Sequence, residues 1–372
     1  MITEKTFFPN IMLKYVAKKY FKTILAASFV LAGVFMLADS LELSRKLSSK
    51  DVADSVIFEM LMLKAPTVYL EILPFAMLIG TLLAFSALAK TSELVAIRSS
   101  GVSAWQFLMP PALIAFVFGI GAILFINPLA ASMQKKYEAI EQTIYPDKAH
   151  GVIVNGQELW LKYNLEDQMF ILHAGSVVDK GRELKDVSIY FYDLANRFIK
   201  RVESDNAELI IIGDDYFWYM ENAYELIQGQ RLATVADVQV PTQMTPEKIQ
   251  FSFSSPKTIS VYDLPEFINS LESAGFSILE HKVRLMSILF LPLLCVAMFI
   301  LGAPFALHFS RKGGVGKLLL SGLCFGFVFY MFNSIILTLA QAGRLNIYIA
   351  VIIPILIAGL IGLYMLLHFR EE

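Results

Sequence analysis

At 372 residues, 56% hydrophobic and 17% charged, with a mean hydropathy of +0.59, the chain is too apolar for a soluble protein of its length. What remains is an integral membrane protein, in which each helix needs about 20 mostly apolar residues to cross about 30 Å of hydrocarbon. The formal net charge of −2 hides a strong asymmetry: residues 131–275 carry 22 of the 33 acidic but only 13 of the 31 basic side chains, a net of −9 that leaves +7 for the rest.

In chain order, six stretches qualify as spans: Thr23 to Ala38, Ile72 to Ala89, Trp105 to Leu129, Met286 to Phe305, Leu318 to Ala340 and Tyr348 to Leu367. The first could be read as a signal peptide, but Met36 and Ala38 before Asp39 make a poor small-residue cleavage site, so it is expected to be a retained helix. Cys295 and Cys324 fall inside the fourth and fifth spans, where a thiol acts as a small hydrophobe.

Basic residues close to the spans set orientation. Lys5, Lys14, Lys18, Lys19 and Lys22 precede the first span, Lys90 and Arg98 lie between the second and third, and Arg311, Lys312 and Lys317 lie between the fourth and fifth. These three groups share the cytoplasmic side, as do both termini. The mixed loop 39–66 and the acidic domain face outward.

The domain between the third and fourth spans reads as β. "VIVNGQELWLKY" places Asn155-Gly156 between two extended runs, a hairpin signal. "DVSIYFYDL" alternates Val187, Ile189 and Phe191 with Ser188, Tyr190 and Tyr192, and "QMFILHAGSVV", "AELIII", "YFWYM", "RLATVADVQV" and "KIQFSFS" add further strands. Many short strands point to a sandwich or jelly roll. "VYDLPEFINSLESAG" then predicts a helix ended by Gly275.

Catalytic signals are weak. "KGGVGK", Lys312 to Lys317, resembles the start of a phosphate-binding loop, but an apolar helix precedes it and Leu318 stands where a Ser or Thr would hold magnesium. His150, His173, His281, His308 and His368 show no metal-ligand spacing, so no cofactor is expected, and no nucleic-acid partner. Arg45, Lys46, Lys64, Lys135, Lys282 and Arg284 lie at the outer span ends, where cations either snorkel or hold lipid phosphates. Glu71, at a span edge, is costly there unless paired or hydrated.

Between the second and third spans stands "KTSELVAIRSSGVS", residues 90–103. Ser92 as N-cap, Glu93 in the first turn and Gly101 as C-cap predict a helix over about 91–101, roughly 13 Å long at about 1.5 Å per residue. Glu93 and Arg98, five positions apart, do not face one another, which leaves each free.

"LPFAMLIGTLLAFSALAKTSELVAIRSSGVS" and "SGLCFGFVFYMFNSI" resemble the LptF/LptG permeases of lipopolysaccharide export, and the LptG branch more than the other. The resemblance covers roughly 1–138 and 278–372. It implies a membrane protein with six transmembrane helices plus an all-β periplasmic jelly-roll domain: spans one to three over 1–130, the β domain over 131–277 and spans four to six over 278–372. It further implies a permease subunit of the Gram-negative bacterial inner membrane that is not itself an enzyme. Its partners would be an LptB-like ATPase dimer, a second LptF/LptG-type permease, LptC-like and LptA-like bridge proteins, and lipopolysaccharide. By the same resemblance 91–101 is the coupling helix, with Ser92, Glu93, Leu94, Ile97, Arg98 and Gly101 at the ATPase. The family places lysines near the outer end of span one and the start of span two. Here Met36, Glu42, Leu43 and Thr67 stand at those positions, with Arg45, Lys46 and Lys64 displaced by a few residues, while Lys135 falls where the family is basic. A membrane-anchored periplasmic adaptor without transport and a lipid-modifying enzyme are the competing classes.

Overall fold

The computed structural model describes residues 7–48, 52–91, 93, 99, 104–145, 151–152, 159–165, 168–178, 182–193, 197–213, 215–227, 230–234, 237–242, 255–273, 277–311 and 315–368. They form two compact units: Met1–Lys135 with Ile259–Tyr262 and Leu279–Glu372, and Lys136–Thr258 with Asp263–Ile278.

The helical unit holds α1 (Phe7–Leu47), α2 (Asp54–Lys90) and α3 (Ala104–Gly121), which runs through a π turn (Ala122–Ile126) into α4 (Asn127–Ile144), a helix that belongs to this unit as far as Lys135. After the second unit come α6 (Leu279–Leu289), α7 (Leu291–Arg311), α8 (Val315–Gln341) and α9 (Ile347–His368). Five described helices are long and apolar enough to cross a membrane, and α6 with α7, bent by 54°, would make a sixth. The bend has a local cause. Pro292 cannot donate to the carbonyl of Ile288 and its ring crowds that carbonyl, so the helix breaks at Phe290.

The loop expected over 39–66 is mostly helix, because nothing in "ADSLELSRKL" or "DSVIFEMLMLK" interrupts helical geometry and both helices simply outrun the hydrocarbon. The third span likewise continues past Leu129 to Ile144. α2 is apolar all round and is the buried hub, packed against α1, α7 and α8. At its centre Tyr20, Phe85 and Phe299 pack edge to face or tilted at 5.4–6.2 Å between ring centres. The buried Tyr20 hydroxyl shares a 3.0 Å hydrogen bond with Thr81. Where helices touch most closely the residue is glycine: a Cβ on Gly119 would strike the backbone of Pro292, and one on Gly362 the backbone of Ile300.

The π turn in the third span leaves carbonyls out of the regular ladder, and the Tyr262 hydroxyl takes up that of Leu124 at 3.2 Å. Beside it the buried Asn127 amide oxygen accepts the Val261 N–H at 2.8 Å. Asn127→Ala is expected to strand that buried donor and to cost about 1–3 kcal/mol, measurable as a lower melting temperature in detergent.

The second unit holds β1 (Gly151–Val152), β2 (Leu159–Leu165), β3 (Gln168–Val178), β4 (Glu183–Asp193), β5 (Phe198–Ile212), β6 (Asp215–Met220), β7 (Tyr224–Ile227), β8 (Gln230–Thr234), β9 (Val238–Thr242) and helix α5 (Leu264–Ser273). The strands form one antiparallel sheet in the order β1-β3-β4-β5-β6-β9, with β2 also on β3, β7 on β5 and β8 on β7. The apolar face expected in β4 forms, with Val187, Ile189 and Phe191 buried alongside Leu172, Val202, Trp218 and Val240, but Ser188 on the other face is buried as well, so only Tyr190 and Tyr192 keep the alternation. β1 and β2 each pair with β3, and the hairpin expected around Asn155-Gly156 falls on residues 153–158, outside the described ones. Asn155, Gly156, the "KIQFSFS" strand and Gly275 lie outside the described residues.

Candidate functional site

Two places in the helical unit gather charge. The first is the end of α2. Thr91 closes that helix, its N–H and its hydroxyl both bonding the Ala87 carbonyl, at 3.3 and 3.0 Å. Two residues on, Glu93 is helical and half-buried. The Lys19 ammonium donates to both of its carboxylate oxygens, at 2.9 and 3.1 Å. That ammonium, with smaller help from the hydroxyls of Thr91 and Tyr15, holds the Glu93 carboxyl below the usual carboxylate range. Because Lys19 adjoins the buried Tyr20, the pair ties this segment to a fixed point on α1.

Glu93 is therefore not left free in the single chain, contrary to the reading from its spacing to Arg98 alone. The partner lies 74 residues away in sequence, and the available signal was that Lys19 and Glu93 fall on the same side of the bilayer by the distribution of basic residues. Ser92, Leu94, Ile97, Arg98 and Gly101 lie outside the described residues.

At the far end of α1 and the near end of α2, Lys64 bridges Asp39 at 2.9 Å and Lys46 bridges Glu42 at 2.6 Å. Lys46, Lys64 and Arg45 are all near enough to act electrostatically on Glu42. The structure thus brings three of the predicted cations together, with two acids among them. Lys135 is exposed on α4, and Lys282 is partly buried on α6 with contacts of its own.

The second place is a cavity of about 230 Å³ bounded by α2, α6, α7 and α8. Arg284 reaches it from α6, Glu71 from α2, and Tyr330, Asn333 and Ser334 from α8. Composition at span ends could flag Arg284 and Glu71, but nothing short of the packed structure joins them to Asn333 and Ser334. Among the described residues no cluster of His, Cys, Asp or Glu has the makings of a metal site.

Among the described residues, long apolar helices together with a separate antiparallel sheet define a polytopic membrane protein. The model of the lipopolysaccharide export system permease LptF/LptG family matches residues 14–368. The chain belongs to this family. It is 25% identical over 367 residues to the lipopolysaccharide export system permease protein LptG of Escherichia coli K12, covering 95% of this chain and 97% of that protein. It is also 25% identical over 337 residues to the protein of the same name from Haemophilus influenzae, covering 88% and 90%.

Proposed function

We propose that this chain is a permease subunit of an ABC-type exporter that extracts lipopolysaccharide from the bacterial inner membrane and passes it to a periplasmic bridge. The family match over residues 14–368 carries this reading. In it the chain crosses the membrane six times with both termini cytoplasmic, and the sheet faces the periplasm as an open jelly roll over which acyl chains pass. The domains run 1–130, 131–277 and 278–372. Hydrolysis belongs to an LptB-like ATPase dimer, a second LptF/LptG-type permease completes the cavity, and LptC-like and LptA-like proteins receive the lipid.

The segment 91–101 then transmits ATPase motion, with Glu93 its charged contact and Lys19 the intrachain partner that keeps the carboxylate oriented until docking. Arg45, Lys46 and Lys64, gathered at the other end of α1, are the head-group cations. Affinity purification of the full chain from native membranes is the test. Recovery of an ABC ATPase and a second permease in defined ratio is the expected result. A chain recovered repeatedly with periplasmic proteins alone would replace this reading by that of an anchored adaptor.

A further inference from the structure

α1 divides its side chains between two faces. Val16, Tyr20, Ile24 and Ala27 are buried, while Lys14, Lys18 and Lys22, each four residues after the last, are exposed on the other side. At about 3.6 residues per turn, Lys18 stands in line with the exposed Ile11, Leu25 and Phe29, two or three turns away. The three lysines make a row about 12 Å long at about 1.5 Å per residue, placed where the apolar part of α1 begins. Lys19, the next residue after Lys18, is spent on Glu93.

This row has no counterion of its own. From Phe7 to Ala38 the helix holds no acidic residue, and among the described residues none bridges Lys14, Lys18 or Lys22. Like charges four residues apart on a helix repel, so the row is stabilised by an anion laid along it. Setting the orientation of a span requires basic residues near its end, but not on one face. A second protein helix packed on this face would bury three ammonium groups, at a cost that no acid on α1 offsets. A lipid meets both halves of the surface. Long lysine stems let the ammonium groups converge on one phosphate, and Leu25 and Phe29, further along the same face, lie beside hydrocarbon. A free anion would use the lysines alone.

We propose that this face of α1 is a docking site for an anionic glycerophospholipid of the bilayer, with Lys14, Lys18 and Lys22 on its head group and Leu25 and Phe29 against its acyl chains. The site lies on the outer surface of the helical unit, at the opposite end of α1 from Arg45 and Lys46. Through Lys19 it adjoins the segment that holds Glu93, so the docked lipid steadies the end of α1 on which that contact depends.

The test is lipid retention by the full chain, purified in detergent with its accompanying subunits and read by native mass spectrometry. The probes are phosphatidylglycerol and phosphatidylethanolamine of equal chain length, in competition, and inorganic phosphate. Each lysine at an anionic surface contributes about a fivefold gain. Wild type is therefore expected to retain phosphatidylglycerol over phosphatidylethanolamine by tenfold or more. Lys14→Gln/Lys18→Gln/Lys22→Gln should lose that preference, while the three Lys→Arg changes together should keep it. Since all three side chains are exposed, both variants are expected to melt with the wild type.

A preference unchanged in the triple Gln variant overturns the proposal. So does an equal loss in Arg311→Gln/Lys312→Gln/Lys317→Gln, which removes the same charge elsewhere and would reduce the effect to net charge. Displacement of the lipid by millimolar inorganic phosphate would make the ion the ligand and also overturns it. A Lys18→Cys chain that crosslinks to another subunit through a short thiol-reactive linker would show a protein on this face, with the same result. The proposal rests on α1 crossing the bilayer and not on what the chain exports: a lysine-dependent preference in a chain recovered with neither ATPase nor second permease upholds the site while the export reading fails.

Discussion

Glu93→Lys is expected to reduce recovery of the ATPase with the solubilised chain by about tenfold or more, while membrane insertion is unchanged. Two effects add. The substitution sets a second ammonium against Lys19, which now lies 2.9 Å from the carboxylate, and like charges at that distance repel in a partly shielded setting. In the proposed coupling role it also removes the anion that would meet the ATPase, and truncating one member of a buried interfacial charge pair costs about 2–5 kcal/mol, or more than tenfold in affinity. Glu93→Ala should show the second effect without the first. Lys19→Ala separates the roles: if lysine only orients Glu93 before docking, ATPase recovery falls by less than with either change at 93. Recovery unchanged in both Glu93 variants would detach this residue from coupling. The pH dependence has a definite sign. Since Lys19 depresses the Glu93 pKa below its ordinary value of 4.5, the bridge is complete above that value and is lost only as pH falls through the depressed one.

Gly362→Val is expected to be the most damaging single substitution in the helical unit, with Gly119→Val close behind. A Cβ at 362 would lie 2.5 Å from the Ile300 carbonyl oxygen and 2.6 Å from the neighbouring backbone carbon, and backbone inside a packed helix cannot swing aside as a side chain would. α7 and α9 must separate, and overpacking of this kind costs about 1–3 kcal/mol or more. A fall of several degrees in melting temperature in detergent, together with lower yield, is the measurement. Gly359, three residues earlier on the same helix, meets nothing within 4 Å of an added Cβ, so Gly359→Ala should be nearly silent and serves as the control.

The apolar stretches were legible because a hydrocarbon core demands runs of about 20 residues and few soluble elements supply them. The β4 face was legible for a related reason: Val187, Ile189 and Phe191 recur at period two and are all buried, although Ser188 between them, on the other face, is buried too. Helix ends were not legible. α1 and α2 continue through Asp39, Glu42, Arg45 and Lys64, where polarity reads as loop although helical geometry is cheap and the Asp39 to Lys64 bridge rewards it. The cations at span ends could be counted, yet their fates differ by partners remote in sequence: Lys64 finds Asp39, while Arg284 faces a cavity with Asn333 and Ser334. Glu93 stood out in the sequence by its place after the Ser92 cap, but which lysine meets it is decided by the packing of α1 on the end of α2.

The clasp at the π turn has a mechanical consequence. Because the Asn127 amide oxygen holds the Val261 N–H and the Tyr262 hydroxyl holds the Leu124 carbonyl, a pull along the chain arriving from residue 258 is borne by the third span before it can pass residue 262. The short strap 259–262 thus moors the chain to the third span midway along its return, so that tension coming down from residue 258 ends at this span instead of running on to residue 263.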